Sequence, residues 1–157
     1  MGTGKSFLAA CIANGLLDQG VSVMMTNFTR ILNKLSDLQI KERSQFISDF
    51  GKVDLLIIDD LGVERNSEFA LEQVYSVVDE RYKANLPLII TTNLTPRQMR
   101  SVQDVAHARI YSRVLEMCTP ILLQGADRRK SISSGKRVLA KQILFPQKEV
   151  QPNGKTE

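Results

Sequence analysis

The chain has 157 residues, of which 43% are hydrophobic and 24% are charged, a composition that indicates one ordinary globular domain with its own core. No apolar run is long enough to span a bilayer, and the first residues do not form a signal peptide, so we expect a cytoplasmic protein that does not enter a membrane. The net charge is +4, and the segment from Ala126 onward carries eight Lys or Arg residues against three acidic ones. Such a segment suits contact with phosphate, although a solvated basic tail is the more common explanation.

The first half of the chain alternates between helical and strand-like apolar patterns. A glycine-rich turn runs directly into apolar positions at helical spacing, and the continuous apolar runs further on are typical of buried strands. The predicted elements of this half are a turn at 1–6, a helix to Leu17, a strand at 21–26, helices at 29–38 and 46–50, and a strand at 53–58.

The second half repeats this alternation before it becomes polar. Asn66 or Ser67 is expected to cap a helix, and Thr95-Pro96 is a typical helix start. Proline and polar residues beyond Ala140 predict a disordered tail, so we expect an ordered core at 1–139 and a tail at 140–157. The predicted elements of this half are a helix at 67–82, a strand at 88–93, a short helix from Thr95, a helix at 102–118 and a strand at 120–124.

The strands show no polar alternation and are separated by helices. This pattern predicts an α/β fold in which a parallel sheet is covered by helices on both faces. Ligands of such sheets bind at the carboxyl ends of the strands. Asp59, Asp60 and Asn93 follow predicted strands at those ends, which makes this edge of the sheet the first candidate for a site.

Gly4-Lys5-Ser6 forms the end of a phosphate-binding loop of the pattern G-x-x-x-x-G-K-[ST]. In a complete loop the backbone N–H groups surround the phosphates, the lysine neutralises their charge, and the hydroxyl binds Mg²⁺. The first glycine of the pattern would precede Met1, and no strand leads into the loop, so we expect a chain truncated at its amino end. The candidate nucleotide-binding residues are Gly2, Thr3, Gly4, Lys5, Ser6 and Phe7.

Leu55–Asp60 is a hydrophobic strand that ends in two acids, as expected of a Walker B segment. Asp59 is placed to hold Mg²⁺ opposite Ser6, and Asp60 is placed to orient or deprotonate the attacking water. A strand followed by a solvated Asp-Asp turn is the alternative. The occurrence of both motifs in one chain favours the catalytic interpretation.

Three further residues are candidates for catalysis. Asn93 ends a strand one element later, where a polar residue can contact the γ-phosphate and the attacking water (the sensor-1 position), although asparagine also begins turns without any such role. Arg109 and Arg113 lie one helical turn apart and share a face. Either arginine could reach a phosphate of a neighbouring subunit, but exposed helix arginines are ordinarily only solvated.

Together, G-T-G-K-S-F, D-L-L-I-I-D-D-L-G, the strand ending T-T-N-L and the R-I-Y-S-R helix resemble the DnaC-type replicative helicase loaders of bacteria and phages. The IstB transposition ATPases are relatives in the same family, and the resemblance runs from Gly2 to about Arg129. It implies a P-loop NTPase fold of the AAA+ type, with the first strand missing from this chain. By this likeness Arg113 is the better match to the arginine finger and Arg109 the second. Arg129 matches the sensor-2 arginine, although Asp127 stands where the family has serine.

The resemblance also implies a function and partners. It implies an ATPase with ATP and Mg²⁺ as ligands that binds single-stranded DNA and the replicative helicase, and that associates with itself through the arginine finger. Phe28, Arg30 and Lys34 are candidates for DNA contact, although an ordinary amphipathic helix explains them equally well. Two alternatives stay open, namely a transposition ATPase that binds DNA and a transposase, and a catalytically dead fragment that only binds a partner.

Overall fold

The computed structural model describes residues 2–62 and 67–127 together with Leu144. The chain divides into two units, a larger one at 4–123 and a smaller one that combines 1–3 with 124–157. None of the helices in the described residues is both long and apolar enough to cross a membrane. The larger unit contains the strands β1 (Val23–Asn27), β2 (Leu55–Leu61) and β3 (Leu88–Thr92) and the helices α1 (Lys5–Leu17), α2 (Phe28–Asp37), α3 (Ile40–Asp49), α4 (Glu68–Ala84), α5 (Pro96–Arg100) and α6 (Val105–Met117).

The strands form a parallel sheet in the order β1-β2-β3, with Met24 opposite Leu56 and Ile58 opposite Ile90. Alternate residues of β2 point into different apolar clusters, because successive side chains of a strand face opposite sides of the sheet. Leu55 and Ile57 pack with α1 on one side of the sheet. Leu56, Ile58 and Leu61 pack with α2, α4 and α6 on the other side. The predicted parallel sheet with helices on both faces is therefore confirmed.

Helix starts follow from short polar side chains that accept hydrogen bonds from free backbone N–H groups. Asn27 caps α2 by accepting from the N–H of Arg30 at 2.9 Å, and Asp104 caps α6 by accepting from His107 at 2.9 Å. Ser67 caps α4, which confirms one of the two caps predicted for this helix. These caps place the start of each helix directly after the preceding strand or loop.

The predicted strand at 120–124 is wrong. The chain has no regular structure from the end of α6 to Asp127, and Ile121 and Leu122 are 85% and 77% exposed. An apolar run indicates a tendency towards burial, but a strand also needs a neighbour for its backbone groups. Within the described part of the chain no strand pairs with this segment. The predicted tail at 140–157 lies outside the described residues except for Leu144.

Candidate functional site

The site is built around the start of α1. Gly4 caps the helix with φ +95°, a left-handed conformation that favours glycine. Within the described part of the chain no further atom lies within 4 Å of the position that a Cβ would take. The first helical hydrogen bond runs from the N–H of Leu8 to the carbonyl of Gly4 at 2.9 Å. Among the described residues no side chain caps the preceding N–H groups of this turn. These N–H groups are the kind that bind an anion, which the helix dipole also attracts.

Gly2 and Thr3 belong to the smaller unit. Gly2 has φ +76°, and a Cβ at this position would lie 1.9 Å from Oδ1 of Asp127. A side chain here would therefore clash with that carboxylate as well as strain the backbone. The hydroxyl of Thr3 is buried and has no hydrogen-bond partner among the residues that the structure describes. Arg129, the predicted sensor-2 arginine, lies outside the described residues.

Lys5 reaches the carboxyl edge of the sheet. Its Nζ donates a hydrogen bond of 2.8 Å to Oδ1 of Asn93, which directly follows β3. The two residues are 88 positions apart in the chain, and they come together because α1 packs across the sheet. The lysine and the asparagine that the sequence singled out are therefore neighbours.

Asp59 and Asp60 form a β-bulge at the end of β2. Ile58 pairs with Ile90 and Leu61 pairs with Thr92, so on the β3 side both acids lie opposite the single residue Thr91. The Thr91 hydroxyl donates to Oδ1 of Asp59 at 2.5 Å and accepts from the N–H of Asp60 at 3.0 Å. Asp59 is half-buried and Asp60 is exposed, so the second carboxylate faces solvent at the edge where Asn93 holds Lys5.

This donor set fits a magnesium nucleotide. Ser6 offers a hydroxyl and Asp59 a carboxylate, and Mg²⁺ prefers such hard oxygen ligands together with substrate phosphates. No group of three or more His, Cys, Asp or Glu side chains that could hold a metal occurs in the described residues. A metal here would therefore depend on the phosphate oxygens for the rest of its ligands.

Arg109 and Arg113 lie on one face of α6, as predicted, and contact α4. Arg113 forms an ion pair with Asp79, and its guanidinium lies 4.4 Å from the ring centre of Tyr75 and 5.1 Å from that of Tyr82. The guanidinium of Arg109 also lies near Tyr75, 4.7 Å from the centre of its ring. Both arginines are therefore held within the chain by stacking and charge.

The candidate DNA residues of α2 divide into two kinds. Arg30 and Lys34 are exposed, as contact with a phosphate backbone requires. Phe28 is only 2% exposed and packs in the core with Ile31 and Leu35. The expectation that Phe28 contacts DNA is therefore corrected, since its ring is not accessible to a base.

Sequence reasoning missed Thr91 and Arg81. Thr91 belongs to the strand end T-T-N-L, and the available signal is that a hydroxyl in an otherwise apolar buried strand needs a specific partner. Arg81 is completely buried. The pattern of α4 does not indicate this, because an arginine in an amphipathic helix is ordinarily expected to be exposed.

Comparison with known proteins shows the family to which the chain is similar. A family model described as IstB-like ATP binding protein matches residues 1–135. The replicative helicase loader DnaC of Escherichia coli K12 is 34% identical over 101 residues, which are 62% of this chain and 41% of that protein. The replicative helicase loader DnaI of Bacillus subtilis strain 168 is 29% identical over 142 residues, which are 82% of this chain and 45% of that protein. The chain thus spans less than half the length of these relatives.

Solved structures show the same fold. The crystal structure of DnaI superposes with a TM-score of 0.66 at 28% identity, covering 82% of this chain and 69% of that one. AMPPCP-bound DnaA from Aquifex aeolicus gives a TM-score of 0.64 at 19% identity, covering 96% of this chain and 45% of that one, and this likeness concerns the fold alone. The predicted P-loop fold of the AAA+ type is confirmed.

Proposed function

Because the chain belongs to the family of IstB-like ATP-binding proteins, we propose that it is an Mg²⁺-dependent ATPase that acts as a helicase loader in DNA replication. The observation that carries the proposal is the hydrogen bond between Lys5 and Asn93. It joins the phosphate-binding turn to the sheet edge that bears Asp59 and Asp60. An ATP-hydrolysing site needs these elements at one place.

Each residue then has a defined task. The N–H groups at the start of α1 bind phosphate oxygens, and Lys5 neutralises their charge. The Ser6 hydroxyl and the Asp59 carboxylate are the residues that would hold Mg²⁺, which would supply positive charge to the phosphates. Asp60, exposed at the same edge, orients the attacking water or takes its proton. Asn93, freed from Lys5 by the nucleotide, contacts the γ-phosphate and this water.

Self-association is part of the proposal. Arg113 acts on the nucleotide of a neighbouring subunit, with Arg109 beside it on the same helix face. Arg113 is bound to Asp79 within this chain, so it has to exchange that carboxylate for a phosphate oxygen. A charge-for-charge exchange of this kind leaves the guanidinium paired in both states.

The macromolecular partners proposed are the replicative helicase and single-stranded DNA. The names of the relatives DnaC and DnaI support the first. Support for the second is that Arg30 and Lys34 are exposed four residues apart on α2, and thus on one face of that helix. The contact would be electrostatic and independent of base sequence, because long basic side chains bind the phosphate backbone.

A transposition ATPase that delivers a transposase to DNA is the second candidate, and the family description as IstB-like favours it. The two candidates share the nucleotide site and differ only in the protein partner. A pull-down with purified replicative helicase and, separately, with a transposase from the same genome decides between them. Binding of the transposase alone would replace the helicase-loader proposal.

The nucleotide site is tested by two substitutions of the purified protein. We expect Lys5→Ala to abolish binding of ATP in isothermal calorimetry, because the phosphates lose their counter-charge. We expect Asp60→Asn to bind ATP as the unsubstituted protein does but to lower turnover by about 10²–10⁴-fold, since a general base contributes that much.

Lys52→Ala is the matched control, because Lys52 is an exposed lysine before β2, at the opposite edge of the sheet, paired with Asp49. It should bind and hydrolyse ATP normally. Unchanged ATP affinity in Lys5→Ala would overturn the phosphate-loop assignment. A protein that binds ATP without any turnover would instead favour a catalytically inactive partner-binding role.

A further inference from the structure

We propose that Thr91 is a positioning residue that fixes both acids of the site through a single hydroxyl group. This inference rests on the proposed ATPase function and extends it. Thr91 is 6% exposed, and its hydroxyl is hydrogen-bonded to both acidic residues. It acts through Asp59, the proposed metal ligand, and Asp60, the proposed base.

The direction of both hydrogen bonds is determined by chemistry. A threonine hydroxyl has one proton to donate and lone pairs that accept. The carboxylate of Asp59 accepts the hydrogen bond from the Thr91 hydroxyl at Oδ1. The backbone N–H of Asp60 can only donate, so it binds the same oxygen from the other side. The hydroxyl oxygen of Thr91 thus makes one hydrogen bond to each of two adjacent residues, and the bond to Asp59 uses Oδ1.

The bulge explains why the contact matters. Two β2 residues lie opposite Thr91, so one backbone group would be left without a ladder partner. Asp60 takes φ +57°, a left-handed conformation that is uncommon for residues other than glycine. A conformation of this kind persists only where surrounding contacts hold it. The bond from the Asp60 N–H to Thr91 is such a contact, and it determines where the Asp60 carboxylate projects.

The end of β3 therefore organises both halves of the site. Thr91 orients the two acids, and Asn93, two residues later, holds Lys5. Partners in the second layer around a metal ligand typically set its orientation and affinity. Loss of the Thr91 hydroxyl should therefore affect the metal-dependent step more than nucleotide binding.

The test compares Thr91→Val, which has nearly the same shape without the hydroxyl, with Thr91→Ser, which keeps the hydroxyl. We expect Thr91→Val to lower turnover, and to raise the Mg²⁺ concentration needed for half-maximal turnover, by about 10–100-fold. ATP affinity measured with EDTA should stay within about 2-fold, since the phosphate-binding turn is intact. Thr91→Ser should recover most of the turnover. A purely structural role would instead lower ATP affinity and turnover together.

A second readout needs no nucleotide. In the free protein, NMR hydrogen exchange of the Asp60 amide should become at least about 10-fold faster in Thr91→Val but not in Thr91→Ser, because the N–H loses its acceptor. Unchanged exchange and unchanged turnover in Thr91→Val would overturn the proposal. If the unsubstituted protein hydrolyses no ATP while the Asp60 amide still responds to Thr91→Val, the positioning contact stands and the ATPase proposal fails.

Discussion

Arg81 is the residue on which the loops behind the site depend. It is completely buried in α4, and its guanidinium donates to the carbonyls of Phe50, Val53, Asp54 and Pro87. These carbonyls belong to the segments that lead into β2 and β3. Burial lowers the pKa of Arg81, with the nearby Asp54 charge acting in the opposite direction. The guanidinium therefore fixes the entry points of both strands that carry the site.

We expect Arg81→Met to destabilise the fold by more than about 3 kcal/mol, because it removes one buried and three partly buried hydrogen bonds to carbonyls. Urea denaturation followed by circular dichroism measures this difference. Arg97→Met, an exposed arginine on α5, is the matched control and should stay within about 0.5 kcal/mol of the unsubstituted protein. Equal stability of both variants would show that the carbonyls find other partners.

At the scale of elements, Ser22 and Asp54 fasten the starts of β1 and β2. The hydroxyl and N–H of Ser22 both donate to Oδ2 of Asp54, at 2.6 and 2.9 Å, and the N–H of Asp54 donates back to the hydroxyl. The next residues, Val23 and Leu55, are paired in the sheet. These three hydrogen bonds, which we call the Ser22–Asp54 clamp, thus set the register that brings Asp59 to the sheet edge.

This clamp makes stability depend on pH. The hydrogen bonds from Ser22 lower the pKa of Asp54 from its ordinary value of 3.8. A lowered pKa means that the contribution is complete above the value of the unfolded chain and is lost as pH falls through the folded value. We expect Asp54→Asn to lose less stability than the unsubstituted protein between about pH 5 and about pH 2, as measured by urea midpoints. Parallel losses in both proteins would exclude a contribution from the clamp.

What could be predicted from the sequence depends on whether the signal is local. The glycine turn before α1 and the two acids near the end of β2 lie where the sequence predicts them, because each is a short contiguous string with an apolar element beside it. Their roles in binding phosphate and metal stay predictions. The orientation of Phe28 and the state of 120–124 were not predicted correctly, because apolar character predicts burial but not which neighbour provides it. The partners of Thr91 are 31 and 32 residues away, and a bulge changes register in a way that no periodic pattern indicates.

At the scale of the whole molecule, the position of Arg113 makes assembly testable. Its side chain is held by Asp79 and two tyrosines on the surface between α4 and α6. An arginine that serves a neighbouring subunit is not needed in the subunit that binds the nucleotide. Two inactive variants with defects in different subunits of one assembly should therefore complement each other.

We expect a mixture of Lys5→Ala and Arg113→Ala proteins to hydrolyse ATP faster than the sum of the separate proteins, since arginine fingers contribute about 10³–10⁵-fold. The first variant supplies the arginine and the second binds the nucleotide. A mixture of Lys5→Ala with Asp60→Asn is the control, and it should stay inactive because no subunit has both a nucleotide and a base. Full turnover by Arg113→Ala alone would exclude Arg113 and turn attention to Arg109.

The left-handed backbone of Asp60 has a practical consequence for trapping the ATP-bound state. Asparagine adopts this conformation about as readily as aspartate, because both have a short polar side chain. Glutamate, glutamine and alanine adopt it less readily. An arrested complex prepared with asparagine should therefore preserve the shape of the native pocket. One prepared with alanine or glutamine would report on a relaxed loop as much as on a missing proton acceptor.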